Sequence, residues 1–249
     1  MPAHVAVSVP QIAGDYAPAL RHLIIGTMRS WLNGEPVWSH DRILELWGAD
    51  FEMYRRQWDR GVLSMPGGRG RTIALYELRD EVLKEFGFAL PCKELLDVLE
   101  DNQPIVEIGA GTGYMTALMR HRGIDVIGTD PGFNAYGFIT GRYDVRQMRI
   151  QGKTAVRRFR DRTVFCSWAT LAETWLRQAL RAMEIGRKFI SIEEDACAEE
   201  TTWDYRDASF DHVNWIDLPA WNYMNDRAGL WIKKRHRQPP PYRYGEDDN

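Results

Sequence analysis

Glu107, Asp130 and the glycines Gly109, Gly111 and Gly113 are the residues of this chain whose types and spacing most directly imply chemistry. Ile105, Val106 and Ile108 form a short apolar run of the kind that fills a buried parallel strand. The run breaks at Gly109-Ala110-Gly111-Thr112-Gly113, where glycine lets a backbone turn sharply and approach a ligand closely. Tyr114 to His121 has the composition of a helix that starts straight after the turn. A second strand is predicted over Asp125–Asp130, and its final carboxylate lies 21 positions after Gly109. That is close to the spacing at which an acid accepts hydrogen bonds from ribose hydroxyls. Strand, glycine turn, helix and acid together imply a nucleotide-binding βαβ unit.

The turn discriminates between nucleotides. A dinucleotide dehydrogenase has G-x-G-x-x-G, whose third glycine permits close helix–strand packing. Here the third position is Tyr114, and Gly113 comes one residue early. The pattern E-x-G-x-G-x-G, with Glu107 on the strand, resembles that of class I S-adenosylmethionine (SAM) methyltransferases. The resemblance implies a Rossmann-like α/β fold with a seven-stranded sheet that ends in an antiparallel pair. It implies that Gly109, Ala110, Gly111, Thr112, Gly113 and Tyr114 cradle SAM. Glu107 would favour the cationic methionine end, Asp130 beside Pro131 would hold the ribose, and Ser167 and Trp168 would complete the site. Tyr114 has a second reading, as the first residue of the helix.

The order of further segments resembles a little-characterised group of methyltransferase-like proteins. These segments are Phe88-Ala-Leu-Pro91, the glycine turn, Asp161 to Trp168, Ile192-Glu193-Glu194, and Pro219-Ala-Trp221 with Asp226-Arg227. Two departures stand out. The group's Trp-Pro-Pro element is Trp168-Ala169-Thr170 here, and its Gly-Glu pair is Glu193-Glu194. In nucleobase amino-methyltransferases a related proline motif grips the acceptor amine, so the first departure argues against adenine or cytosine N-methylation. Glu194, at a strand end on the ligand side, is the candidate general base; it reads equally as a surface carboxylate in an acidic run.

The elements that must position these groups follow from periodicity. Helices are predicted over Asp15–Leu32, from Ser39 or Asp41 to Trp58, over Thr72–Phe86 and over Lys93–Leu99. Ser64 to Arg71 is a basic loop that reads as a linker or as an anion holder through Arg69 and Arg71. Pro131 to Phe138 reads as a loop folded over a ligand. Beyond the first two strands, strands are expected at 145–150, 163–167, 188–193, 212–217 and 229–233, with a helix over Leu171–Met183. Cys197 to Ala208 is polar and reads as a loop with a helical turn. The last two strands are about 11 residues apart, too close for a helical crossover, so they should be antiparallel.

The expected organisation is a helical N-terminal cap region over 1–87, a SAM-binding methyltransferase domain over 88–237 and a disordered tail over 238–249. Net charge is −3, which exerts no pull toward nucleic acid or anionic membrane and favours a small-molecule methyl acceptor. Trp47, Tyr54, Arg55, Arg56 and Trp58 read as a base-stacking surface or as an ordinary amphipathic helix. Cys92, Cys166 and Cys197 are scattered without CxxC, so no disulfide framework or zinc site is expected. No ligand-spaced histidine pair predicts a metal. No signal peptide or apolar span is visible, and a cytoplasmic location is expected. Three functions fit: a SAM-dependent methyltransferase, a methyltransferase-fold binding or assembly protein without turnover, and an NAD-dependent oxidoreductase. The last is opposed by Tyr114.

Overall fold

The computed structural model describes residues 16–46, 78–132, 137–144, 146–169, 174–194, 200–221 and 226–234. The N-terminal arm, the helical expectation over 47–58, the basic loop at 64–71, Cys197 and the tail lie outside these residues.

Helix α1 spans Tyr16–Leu32. Residues 40–46 (α2) and 78–85 (α3) are also helical. Ser39 caps α2, its hydroxyl oxygen accepting the Arg42 N–H at 3.3 Å. Then come α4 (Lys93–Asp101), β1 (Ile105–Ile108), α5 (Tyr114–His121), β2 (Val126–Thr129), α6 (Gly152–Arg158), β3 (Thr163–Ser167), α7 (Trp175–Ala182), β4 (Lys188–Glu193), α8 (Glu200–Ser209), β5 (Phe210–Asp217) and β6 (Arg227–Lys233).

The described strands form one sheet of order β2-β1-β3-β4-β6-β5. β2, β1, β3 and β4 are parallel, and β6 runs antiparallel to both β4 and β5. The register sends alternate residues to opposite faces, as the pleat requires. Ile105, Phe165, Ile190 and Ile192 enter one core with residues of α1, α3, α4 and α5. Val106, Ile108, Val164, Cys166 and Phe189 enter the other with residues of α6, α7 and α8. Both faces of the central strands are therefore covered, which is why β1 is buried along its whole length and is apolar at every position except Glu107.

Two expectations need correction. The sheet has six named strands among the described residues, not seven. In the expected 145–150 strand, the pairing is a single parallel bridge between Thr129 and Met148. Met148 N–H donates to Gly128 O at 2.9 Å and Asp130 N–H donates to Met148 O at 3.0 Å. The chain then turns into α6 at Gly152, which leaves no length for a longer ladder. The polar segment expected over 197–208 as a loop with a helical turn is helix α8 from Glu200 onward, which runs on to Ser209. Its buried positions are Thr202, Tyr205, Arg206 and Ser209. They recur at helical spacing but are mostly polar, so apolar periodicity does not reveal them. Arg206 is held by a buried ion pair with Glu193 at the end of β4.

Candidate functional site

At the C-terminal ends of β1, β2 and β3 the sheet opens into a cavity of 420 Å³. Open α/β sheets bind ligands at this edge, and the volume is within the range of small-molecule pockets. Its floor is the turn between β1 and α5. Gly109, Gly111 and Gly113 all have positive φ, at 70°, 54° and 79°. Such angles favour glycine. The Asp130 carboxylate holds the turn from below: Gly111 N–H donates to Oδ2 at 3.0 Å, and Gly132 N–H donates to Oδ1 at 2.7 Å. Each oxygen keeps a second lone pair, so the carboxylate is both a brace and an acceptor with capacity left. The Thr112 hydroxyl donates to Phe86 O at 2.7 Å and fastens the turn to the end of α3.

Glu107 lines the same cavity yet is only 1% exposed. Thr116 on α5 donates its hydroxyl to Glu107 Oε2. Burial pushes the Glu107 carboxyl up to about 8; the Thr116 bond opposes the rise, and the neighbouring Asp144 and Asp130 charges add to it. At neutral pH this group is therefore predominantly a neutral acid, and a cation beside it would favour its ionised form.

The residues expected at the site divide into two sets. Glu107, Gly109, Ala110, Gly111, Thr112, Asp130, Pro131, Ser167 and Trp168 line the cavity together. Gly113, Tyr114 and Glu194 are not among its lining residues. Gly113 caps α5 instead. Tyr114 starts that helix, its second reading: the side chain is 1% exposed, and its hydroxyl donates to Met28 O on α1 at 3.1 Å. Its ring meets those of Phe86 and Tyr143 edge-on. A tyrosine fixed in the core in this way does not present its ring to a ligand on the turn. Glu194 follows β4 directly and is half-buried. The β4–β6 ladder pairs Glu193 with Arg227, so one step further Glu194 faces Asp226 across the sheet end.

Asp226 carries a role that its sequence context does not announce. Its Oδ1 accepts the Trp168 indole N–H at 2.9 Å. Burial raises its carboxyl to about 7; the Trp168 bond and Arg79 oppose this, and Glu194 adds to it. Trp168 has φ 59°, unusual for a residue with a side chain, and its ring stacks on Phe88 at 5.1 Å with 5° between the planes. Backbone strain of this kind persists only when surrounding contacts hold it. The wall at the end of β3 is thus an aromatic pair braced by a buried acid.

Other lining residues were also missed. Phe138 falls in the loop expected to cover a ligand, but Gln151, Gly152 and Lys153 follow the expected 145–150 strand in a stretch with no predicted element, and Trp175 reads as an ordinary core residue of a helix. No sequence signal brings α6 and α7 to the cavity; the connections into and out of β3 do. No group of His, Cys, Asp and Glu among the described residues is arranged to hold a metal. No described helix is long and apolar enough to cross a membrane.

No protein-family model matches the chain. No curated protein matches it in sequence. Among solved structures it is similar to a SAM-dependent methyltransferase from Archaeoglobus fulgidus, at 12% identity and TM-score 0.40, over 63% of this chain and 94% of that one. A SAM-dependent methyltransferase from Aquifex aeolicus is similar at 14% identity and TM-score 0.38, over 64% and 95%. A Streptococcus thermophilus protein described as a hemolysin is similar at 16% identity and TM-score 0.38, over 57% of this chain and 64% of that one, so the chain spans less than two thirds of it. These likenesses are remote. The chain's own sheet order, glycine turn and cavity define the site.

Proposed function

We propose that this protein binds SAM at the glycine turn and transfers its methyl group to a small-molecule acceptor. One observation carries the reading: a single cavity is lined by the glycine turn, by Glu107 below it, by Asp130 at the end of the neighbouring strand and by Ser167–Trp168 at the end of the next. These groups suit the parts of SAM. The free lone pairs of Asp130 accept hydrogen bonds from ribose hydroxyls. Glu107 is a carboxyl whose ionised form a sulfonium or ammonium would favour. Gly109 and Gly111 let the Trp175 and Phe138 rings of the wall close against the turn. Bound SAM supplies an electrophilic methyl that needs no covalent intermediate. The chain's contribution is alignment and exclusion of water, the source of most of the rate in such a transfer. The Trp168–Phe88 wall suits a flat acceptor, stacked rather than gripped by the prolines absent at Ala169 and Thr170.

A second reading, SAM binding without turnover, is favoured by one observation. Glu194, the candidate general base, is not on the cavity wall, and the wall's carboxyls, Glu107 and Asp130, are already hydrogen-bonded. An acceptor that arrives unprotonated does not need a base. The distinguishing experiment is calorimetry with SAM, S-adenosylhomocysteine and NAD, followed by labelled SAM with a metabolite extract. Heat with both adenosyl ligands and label transfer into a small molecule are expected. Binding without label transfer would favour the second reading, and heat with NAD alone would overturn both.

A further inference from the structure

The two glycines that lie closest to the cavity's aromatic side give up their side chains to the same ring. A Cβ on Gly109, in the turn after β1, would come within 2.9 Å of Trp175 Cη2. A Cβ on Gly152, the first residue of α6, would come within 3.2 Å of Cε3 and Cζ3 of the same indole. Trp175 opens α7, and its half-buried ring is lodged where a turn and a helix start both leave space. The ring lines the cavity together with Gly109, Gly152 and the buried acid Glu107, which is two residues from Gly109. Lys153 supplies the wall's basic group and is exposed. An aromatic ring and a buried carboxyl that line one cavity are groups that hold sulfonium and quaternary ammonium ions.

We infer that Trp175 is a specificity-determining residue: its ring packs against the cationic methionine end of the cofactor, so that the site prefers the sulfonium of SAM to the neutral thioether of S-adenosylhomocysteine. The inference rests on the reading of this cavity as a SAM site and adds to it a residue that discriminates by charge. An indole that merely filled space would contribute equally to both ligands, because they share the adenosine and the amino-acid carbons. A ring that contributes through its quadrupole contributes to SAM more. The difference expected from a cation–π contact is about two- to thirtyfold in affinity.

The test is calorimetric titration of the full chain with SAM and with S-adenosylhomocysteine, in native protein, Trp175→Phe and Trp175→Leu. Trp175→Leu should weaken SAM about tenfold and leave S-adenosylhomocysteine within about twofold. Trp175→Phe, which keeps a ring with a weaker quadrupole and preserves packing, should fall between. Thermal melting of each variant checks that the fold is kept. Equal weakening of both ligands in both variants would overturn the inference while leaving the SAM reading intact. Tightening of both on Trp175→Leu would overturn it in the opposite sense, since the ring would then be occupying the ligand's own place. If native protein binds neither ligand, the SAM reading and the inference fail together.

Discussion

Under the proposed function, Glu107 is the residue whose protonation the ligand would change. In the free fold its carboxyl stays protonated up to about 8, because burial disfavours the charged form. Binding a cation beside it favours ionisation, so the site should release a proton when SAM binds below that pH. Calorimetry at pH 7 in phosphate and in Tris should give different apparent heats, corresponding to release of nearly one proton. Glu107→Gln should abolish the difference and weaken SAM. Native affinity should rise with pH toward about 8 and then level off. Asp226 gives a second titration, this one of stability. Its folded value is raised to about 7 from 3.8. Between those values the unfolded chain is ionised and the folded protein is not, so this group's contribution to stability falls as pH rises, by at most about 1.4 kcal/mol per unit. Asp226→Asn keeps an acceptor for the Trp168 indole and removes the titration. The urea midpoint of Asp226→Asn relative to native protein should therefore increase between pH 4 and pH 7.

At the scale of the element, the junction of β1 and α5 concentrates the constraints. Gly113 combines a left-handed φ of 79° with a crowded surrounding: an added Cβ would come within 2.7 Å of Asp144 Cβ. Gly123, at the end of the same helix, has φ 83° and nothing within 4 Å of such a Cβ. Gly123→Ala should cost about 1–2 kcal/mol from backbone conformation alone. Gly113→Ala should cost about 2 kcal/mol more, since Asp144 is buried, pairs with Arg120 and has no room to yield. Urea denaturation of the two variants side by side measures the difference. Equal losses would mean that the turn relaxes and that its geometry is not fixed by Asp144. The first strand of this unit was readable because β1 is covered on both faces, which favours apolar residues at Ile105, Val106 and Ile108. Helix α8 was not, because three of its buried side chains, Thr202, Arg206 and Ser209, are polar, with Arg206 held by the Glu193 ion pair, and only Tyr205 joins the apolar core.

For the whole molecule, the question is whether the N-terminal helices are separable from the sheet. Ile24, Met28 and Trp31 of α1 share a core with Leu95 of α4, Tyr114 of α5 and Phe165 of β3. The Tyr114 hydroxyl reaches across to Met28 O, and Arg29 pairs with Glu85 between α1 and α3. Tyr114→Phe removes one buried bond and should cost about 1 kcal/mol. A chain that begins at residue 88 exposes the apolar side of α4 and α5 and should fail to show a cooperative melt, whereas an independent cap would leave the melt unchanged. The described helices thus act as part of the sheet's covering layer, and α3 also lends Phe86 and the residues after it to the cavity wall.

Residue order alone determined the strand–turn–helix–strand unit, since strand, turn, helix and acid are contiguous and each has a local physical signature. Glu107, the glycines and Asp130 are legible for that reason, as is the close spacing of β5 and β6. Only the tertiary structure decided what surrounds the turn. Tyr114 points into the core because α1 offers it a carbonyl. Asp226 reaches Trp168 because β6 returns antiparallel beside β4. Trp175 reaches Gly109 because the connection from β3 carries α7 back over the sheet. Contacts between residues far apart in the chain leave no periodicity to read, so the glycine-turn side of the cavity is written in one short segment, while the aromatic wall opposite is assembled only by folding.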